Sequence, residues 1–241
     1  TLSSNNLPAG WDGRTIAFFT DAHVGPSFDQ HRLGRVADAI QSAAPDLILY
    51  GGDLIDSKTP EDEAFAAEIS LVLSRMKAPF GQYAVAGNHD NRLIATLNRT
   101  RAMLEAGGFR LLVNQSVELD GLLLGGMDDS YFGQPDLQET FPADSKERDL
   151  FRILLKHAPD FAAALPADSA DLVFSGHSHN GQVALFGRPL ITVHQARRYT
   201  HGLYDLADGR RLVVSRGLGT VLIAARFGSP PEVMLITLRR S

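Results

Sequence analysis

The chain has 241 residues, 44% of them hydrophobic and 21% charged, a composition that excludes a disordered or fibrous protein. A formal net charge of -5 argues against broad nucleic-acid binding, because affinity for a phosphate backbone needs clustered Lys and Arg. There is no cysteine, so disulfides and thiolate metal sites are excluded and any metal must be held by nitrogen and oxygen.

In chain order, the apolar run TIAFFT at 15–20 predicts a strand and is followed by Asp21 and His23. A loop at Gly25-Pro26 leads to a helix over 32–42, with Leu33, Val36, Ala37 and Ile40 on one face and Pro45 as its stop. LILYGG at 47–52 is the next strand, ending before Asp53. A helix over 60–76 follows, with Pro60 near its start and the acidic Glu61, Asp62 and Glu63 suited to its positive end. Its stripe of Phe65, Ile69 and Val72 is expected to be core. YAVAG at 83–87 precedes Asn88 and His89, and a third helix over 91–106 closes at Gly107-Gly108.

The second half is richer in strand signals, at 111–113, 122–124, 172–174, 183–186, 212–215 and 233–238, with turns at Asp120-Gly121 and Asp208-Gly209. Within it ILLK leads to His157, and LVFSG leads to His177 and His179. Helices are expected near 146–153 and 160–165. No repeat or linker interrupts the pattern, so one domain over 1–241 is expected. No stretch is apolar and long enough to span a bilayer, and no signal peptide is visible. Because the first residue is Thr1 rather than methionine, removal of a signal or anchor is an expectation, and the address stays open between cytoplasmic, membrane-associated and exported.

Five strands thus end on Asp, Asn or His, and in α/β sheets functional groups gather beyond the carboxyl ends of strands. Gly51-Gly52, Gly87 and Gly176 directly precede these residues, where a missing side chain lets the backbone turn sharply. Taken singly, Asp21, Asp53 and Asn88 would be turn residues and His157 a core histidine. Together, two Asp, one Asn and four His make too many ligands for one tetrahedral ion and suit two ions sharing a carboxylate.

The blocks Asp21-Ala22-His23, Gly52-Asp53, Gly87-Asn88-His89-Asp90, His157 and Gly176-His177-Ser178-His179 resemble, in order and type, the pattern of the calcineurin-like metallophosphoesterase superfamily. The resemblance implies a four-layer α/β/β/α sandwich of two mixed sheets flanked by helices. It implies that Asp21, His23 and His179 hold one metal, that Asn88, His157 and His177 hold another, and that Asp53 bridges them. The metals would be two divalent ions, Mn, Fe, Zn or Mg. A hydroxide between them would attack phosphorus, with His89 as general acid or transition-state stabiliser and Asp56 orienting it. The expected substrate is a phosphodiester or pyrophosphate, either a small molecule or lipid-linked. A phosphomonoesterase and a metal-binding scaffold without turnover are the alternatives.

Protein phosphatases of this superfamily carry arginine where this chain has Ser57, which speaks against that activity. Asn180-Gly181-Gln182, the run RGLGT at 216–220 and Pro231-Glu232 look like a bacterial branch of membrane-associated phosphodiesterases and UDP-2,3-diacylglucosamine hydrolases. Asn180 departs from the glycine common in that branch. Members often begin with a membrane segment, so peripheral membrane association through a segment before Thr1 is a further expectation. Arg216 and Tyr199 are candidate phosphate contacts, Asp128-Asp129 a solvated turn or a support of the site, and His31, His194 and His201 surface or structural residues.

Overall fold

In the computed structural model, residues 1–56, 59, 62–143 and 150–241 are described. The first sheet contains β1 (Leu2–Ser4), β2 (Thr15–Phe19), β3 (Leu47–Tyr50), β4 (Gln82–Ala84), β5 (Arg110–Leu111) and the last strand, β14 (Met234–Arg240). Their order is β1-β14-β2-β3-β4-β5, parallel from β2 to β5. The second sheet contains β6 (Gln115–Leu119), β7 (Leu122–Gly126), β8 (Phe151–Leu155), β9 (Leu172–Ser175), β12 (Gly202–Asp205) and β13 (Arg211–Val214). Its order is β12-β13-β9-β8-β7-β6, parallel from β13 to β7 and antiparallel at both edges. A two-stranded ribbon, β10 (Ala184–Leu185) with β11 (Arg188–Pro189), stands apart from both.

Alternation along the strands sets the layers, since successive side chains point to opposite faces. Ile16, Phe18, Leu47 and Leu49 meet Leu122, Leu124, Ile153, Leu155 and Phe174 of the second sheet. Ala17, Phe19, Ile48 and Tyr50 face outward onto helices α1 (Gln30–Ala43), α2 (Glu63–Leu73) and α3 (Ile94–Ala106). The outer face of the second sheet, Leu123, Leu154, Val173 and Leu212, is covered by Phe141, Leu165 and Tyr199, near the short helix α4 (Leu137–Thr140) and a 3-10 turn at Pro159–Ala163. The result is two mixed sheets face to face with helices outside. Each fully buried Leu, Ile or Phe contributes ~1.5–3 kcal/mol.

Several local expectations are corrected. Residues 146–149 of the helix expected at 146–153 lie outside the described residues, but Phe151–Leu155 is a strand. Its apolar side chains sit between neighbours on both faces, the environment of an interior parallel strand. The expected helix at 160–165 is a 3-10 turn, and the run at 183–186 is only two strand residues before a tight turn. Helix α2 begins at Glu63, with Asp62 accepting from Ala64 N as its N-cap, while Ser57, Lys58, Pro60 and Glu61 lie outside the described residues. Helix α3 starts three residues later than expected. The Phe65, Ile69 and Val72 stripe does pack on the core.

Candidate metal centre

The carboxyl ends of β2, β3, β4, β8 and β9 open on one edge, so the loops after them converge. Asp21 N donates to Gly52 O at 2.8 Å and His23 N to Asp53 O at 3.1 Å, joining the first two loops. Five of the seven expected ligands, Asp21, His23, Asp53, His177 and His179, have φ between 43° and 66°. This left-handed region costs a non-glycine residue on the order of 1–3 kcal/mol and is held only where the surroundings impose it. Two glycines supply the clearance: a Cβ at Gly87 would strike the Asp53 carboxylate, and one at Gly176 the Asp21 carboxylate.

The donors meet in three overlapping groups, Asp21 with His23 and His179, His23 with Asp53 and His89, and Asp53 with His157 and His177. Within each group the ligand atoms lie within 4.8 Å of one another, close enough to hold a cation. Asp21 Oδ1 is 3.3 Å from His179 Nε2, and the His23 and His179 Nε2 atoms are 3.1 Å apart. Asp53 Oδ2 is 3.5 Å from His23 Nε2 and 3.3 Å from His157 Nε2. Asp53 Oδ1 accepts from His89 N at 2.8 Å. His157 Nδ1 lies 2.7 Å from Gly51 O, which can only accept, so Nδ1 carries the proton and Nε2 faces Asp53. Asn88 Oδ1 is buried with no hydrogen-bond partner, a costly state that a cation would relieve. This donor set of carboxylate, amide oxygen and imidazole fits a divalent metal.

The electrostatics have the same center. Burial would raise the Asp21 and Asp53 carboxyls, but His179 and His157 beside them hold both well below the usual carboxylate range. Burial lowers His157, yet the attraction and hydrogen bond of Asp53 prevail and raise it to about 10. His23 falls to about 3 and His177 to about 4, chiefly through burial. In the metal-free cluster His157 is therefore the cation beside Asp53, and a metal held through its Nε2 would have to displace that proton.

The remaining expectations divide. Asp56 is half-buried at the start of the loop after β3, its N donating to Val24 O at 3.1 Å and its carbonyl accepting from Thr59 N at 3.0 Å. Asn180 has φ 45°, which explains an asparagine where glycine would otherwise stand, since Asn tolerates this region better than most residues. Arg216 is paired with Glu232 at 3.7 Å, and Tyr199 is buried on the outer face of the second sheet. Neither lines the pocket at the cluster. Asp129 is fully buried rather than a solvated turn, and its carboxylate accepts from Tyr131 N and Phe132 N.

Three supporting residues escaped the sequence reading. Asp90 is fully buried and gathers two loops: Oδ2 accepts from Asp53 N at 2.6 Å and Gly87 N at 2.9 Å, and Oδ1 from Leu54 N at 3.0 Å. Burial, then the charge of Asp53, raises its carboxyl to about 6. Tyr131 donates from its hydroxyl to His194 O at 2.6 Å, and His177 Nε2 lies 2.9 Å from the same carbonyl. Arg226 Nη2 lies 3.1 Å from His179 Nδ1 and 2.9 Å from Arg216 O. Only Asp90 had a signal, its place directly after His89.

A family model described as calcineurin-like phosphoesterase matches residues 14–181. The chain is 35% identical to the uncharacterized metallophosphoesterase YkuE of Bacillus subtilis (strain 168), over 99% of this chain and 84% of that protein. It is 29% identical to an uncharacterized metallophosphoesterase of Aquifex aeolicus (strain VF5), over 99% of this chain and 90% of that one. It is also 29% identical to a Danio rerio protein called transmembrane protein with metallophosphoesterase domain, over 98% of this chain and 55% of that protein. Such relatives are therefore not confined to bacteria.

Proposed function

The chain belongs to the calcineurin-like phosphoesterase family and is a metal-dependent phosphoesterase, and on that premise we propose that it cleaves phosphodiester or pyrophosphate bonds at the cluster around Asp53. Asp21, His23 and His179 would hold one divalent cation, Asn88, His157 and His177 a second, and Asp53 would serve both. The observation that carries this reading is the single Asp53 oxygen facing both halves, 3.5 Å from His23 Nε2 and 3.3 Å from His157 Nε2. Bound there, the cations would supply an activated water and neutralise charge on the phosphoryl oxygens.

His89 is assigned the proton for the leaving oxygen. Its backbone is fixed by Asp53, its ring packs edge-on to His23 with centroids 4.8 Å apart, and it lines the pocket. Asp56 is proposed as its positioning residue. The preference for diesters rests on charge: beyond the cations themselves, no Lys or Arg lines the pocket of about 350 Å³ among the described residues, so no side-chain cation there adds to the metals in offsetting the second negative charge of a monoester.

The test is turnover by metal-reconstituted protein on bis-p-nitrophenyl phosphate, p-nitrophenyl phosphate and a nucleotide pyrophosphate. Faster cleavage of the diester or the pyrophosphate supports the reading. Preference for the monoester overturns the bond type, and an unchanged metal content in Asp53→Ala overturns the shared ligand.

A further inference from the structure

The two histidines proposed for the second cation are tethered through opposite ring nitrogens. His157 gives its Nδ1 proton to Gly51 O at 2.7 Å, which leaves Nε2 to face Asp53. His177 is the reverse. Its Nε2 lies 2.9 Å from His194 O, a carbonyl that can only accept, so Nε2 carries the proton and Nδ1 is the atom left to ligate. The two anchors differ as well. Gly51 is buried directly after β3 and donates its own N–H to Phe19 O of β2 at 2.9 Å. His194 ends a run of exposed residues, 191–194, so the orientation of one candidate ligand depends on a surface loop.

Tyr131 fastens that loop. Its hydroxyl donates to His194 O at 2.6 Å, the same oxygen that takes the His177 proton, and lies 3.3 Å from His177 Nε2 itself. It is also 3.2 Å from His194 Nδ1, so both the backbone and the ring of His194 are engaged. The Tyr131 ring packs against those of His177 and His194, with centroids 5.4 and 5.5 Å apart. From beneath, the fully buried Asp129 carboxylate accepts from Tyr131 N at 2.9 Å, and Lys156, the neighbour of His157, donates to Asp128 O. The segment bearing Tyr131 is thereby joined to the end of β8. On the other side Gln195 has φ 62°, so the loop holds a strained conformation at the peptide whose oxygen points to His177.

We propose that Tyr131 is a positioning residue for His177: by clamping His194 O it keeps the His177 proton on Nε2 and leaves Nδ1 for the second metal. The proposal rests on the reading of the cluster as a two-metal site. Its physical basis is that a partner of the outer nitrogen fixes both the tautomer and the ring angle of a ligating histidine before the metal arrives. Ile191 and Val193 of the same loop line the pocket beside Tyr131 and His89, so one fastening serves a wall of the pocket and a ligand of the second metal.

The test is nitrogen NMR of the isotope-labelled histidine rings, first in metal-free protein near neutral pH and then through a titration with chelator-buffered Zn²⁺. In the intact chain His177 should carry its proton on Nε2, and Zn²⁺ should shift Nδ1 of that ring. Tyr131→Phe keeps the ring against His177 and removes only the hydroxyl. In this variant His177 should populate both tautomers, and half-occupation at His177 should need about 10–100-fold more Zn²⁺, while His179 at the first metal stays within about twofold. A merely structural role would weaken both sites alike, so equal losses overturn the proposal, as does unchanged binding at His177. An intact chain that takes Zn²⁺ at both sites with His177 bound through Nε2 refutes the clamp alone. An intact chain that takes Zn²⁺ at His179 and never at His177 refutes the two-metal reading, and the clamp falls with it.

Discussion

The metal centre and the rim beside it break the usual partition of a folded chain in opposite directions. At the centre, Asp21, His23, Asp53, Asp90 and His157 are charged or titratable and almost wholly buried. At the rim, along the β10–β11 ribbon and the loop 221–227, Phe186, Leu190, Leu222 and Ile223 are large, apolar and exposed. Buried ionisable groups cost several kcal/mol unless partnered, so the centre survives through a dense set of partners. Exposed apolar groups cost little in the monomer, so the rim survives without partners, strained at Phe186, where φ is 51°. The lesson is that burial of polar groups needs local compensation that can be read in hydrogen bonds, while exposure of apolar groups leaves no such record.

The comparison can be broken hardest at Asp53. Asp53→Asn removes the charge that faces His23 and His157, and should reduce bound metal and lower turnover on the order of 10³-fold. Metal analysis with kinetics on bis-p-nitrophenyl phosphate reads both, and a variant with full metal and full rate would dissolve the centre as drawn. His89→Ala is next, with a loss of roughly 10²- to 10⁴-fold in turnover and two metals retained. Because His89 also falls within one donor group with His23 and Asp53, loss of a metal in this variant would make it a ligand instead.

Asp90 probes the support beneath the candidate metal ligands. Every contact its carboxylate makes is with a donor, Asp53 N, Leu54 N, Gly87 N and the Thr100 hydroxyl. Asp90→Asn must turn an NH2 toward the two donors that share one oxygen, leaving at least one buried donor unsatisfied at about 1–3 kcal/mol. Metal affinity should weaken about 10–100-fold, as for other groups that orient ligands. Chemical denaturation and metal titration check the two together, and a neutral outcome in both would make Asp90 incidental.

The centre was largely legible in the sequence because its residues are punctuation. A β-branched or aromatic run, a glycine and then Asp, Asn or His recur at Asp53, Asn88 and His177, the run before Asp21 lacking only the glycine, and each strand delivers its candidate ligand to the same edge. Asp90 was written in the same blocks, but nothing local says that it points inward to bind backbone amides rather than outward. Tyr131 and Arg226 reach the histidines from loops without periodicity, so only the fold brings them near. The strand at Phe151–Leu155 was obscured by the polar segment before it, whose composition suits a helix. The rim was hidden for the converse reason: a short apolar run such as the one at 183–186 looks the same in sequence whether it ends in the core or in solvent.

The smallest expected effect separates the metal-free centre from the metal-filled one by pH. Without metal, His157 is raised to about 10 from an ordinary 6.5, so its contribution is fully present below about 6.5 and is lost as pH rises toward 10. His23 and His177 are lowered to about 3 and about 4, so in the folded chain they resist protonation and stability falls as pH drops below 6.5. Asp21 and Asp53, both held low, add stability that is present above about pH 4 and lost below it. The metal-free protein should therefore be most stable near pH 6.5 and decline on either side, over a few degrees in melting temperature. With saturating Mn²⁺, His157 acting as a neutral ligand through Nε2 would have no titrating proton there, so the alkaline limb should flatten between pH 7 and about 10. Melting curves in EDTA and in Mn²⁺ across that range give the comparison directly. Parallel declines on the alkaline side would mean that His157 does not exchange its proton for a metal.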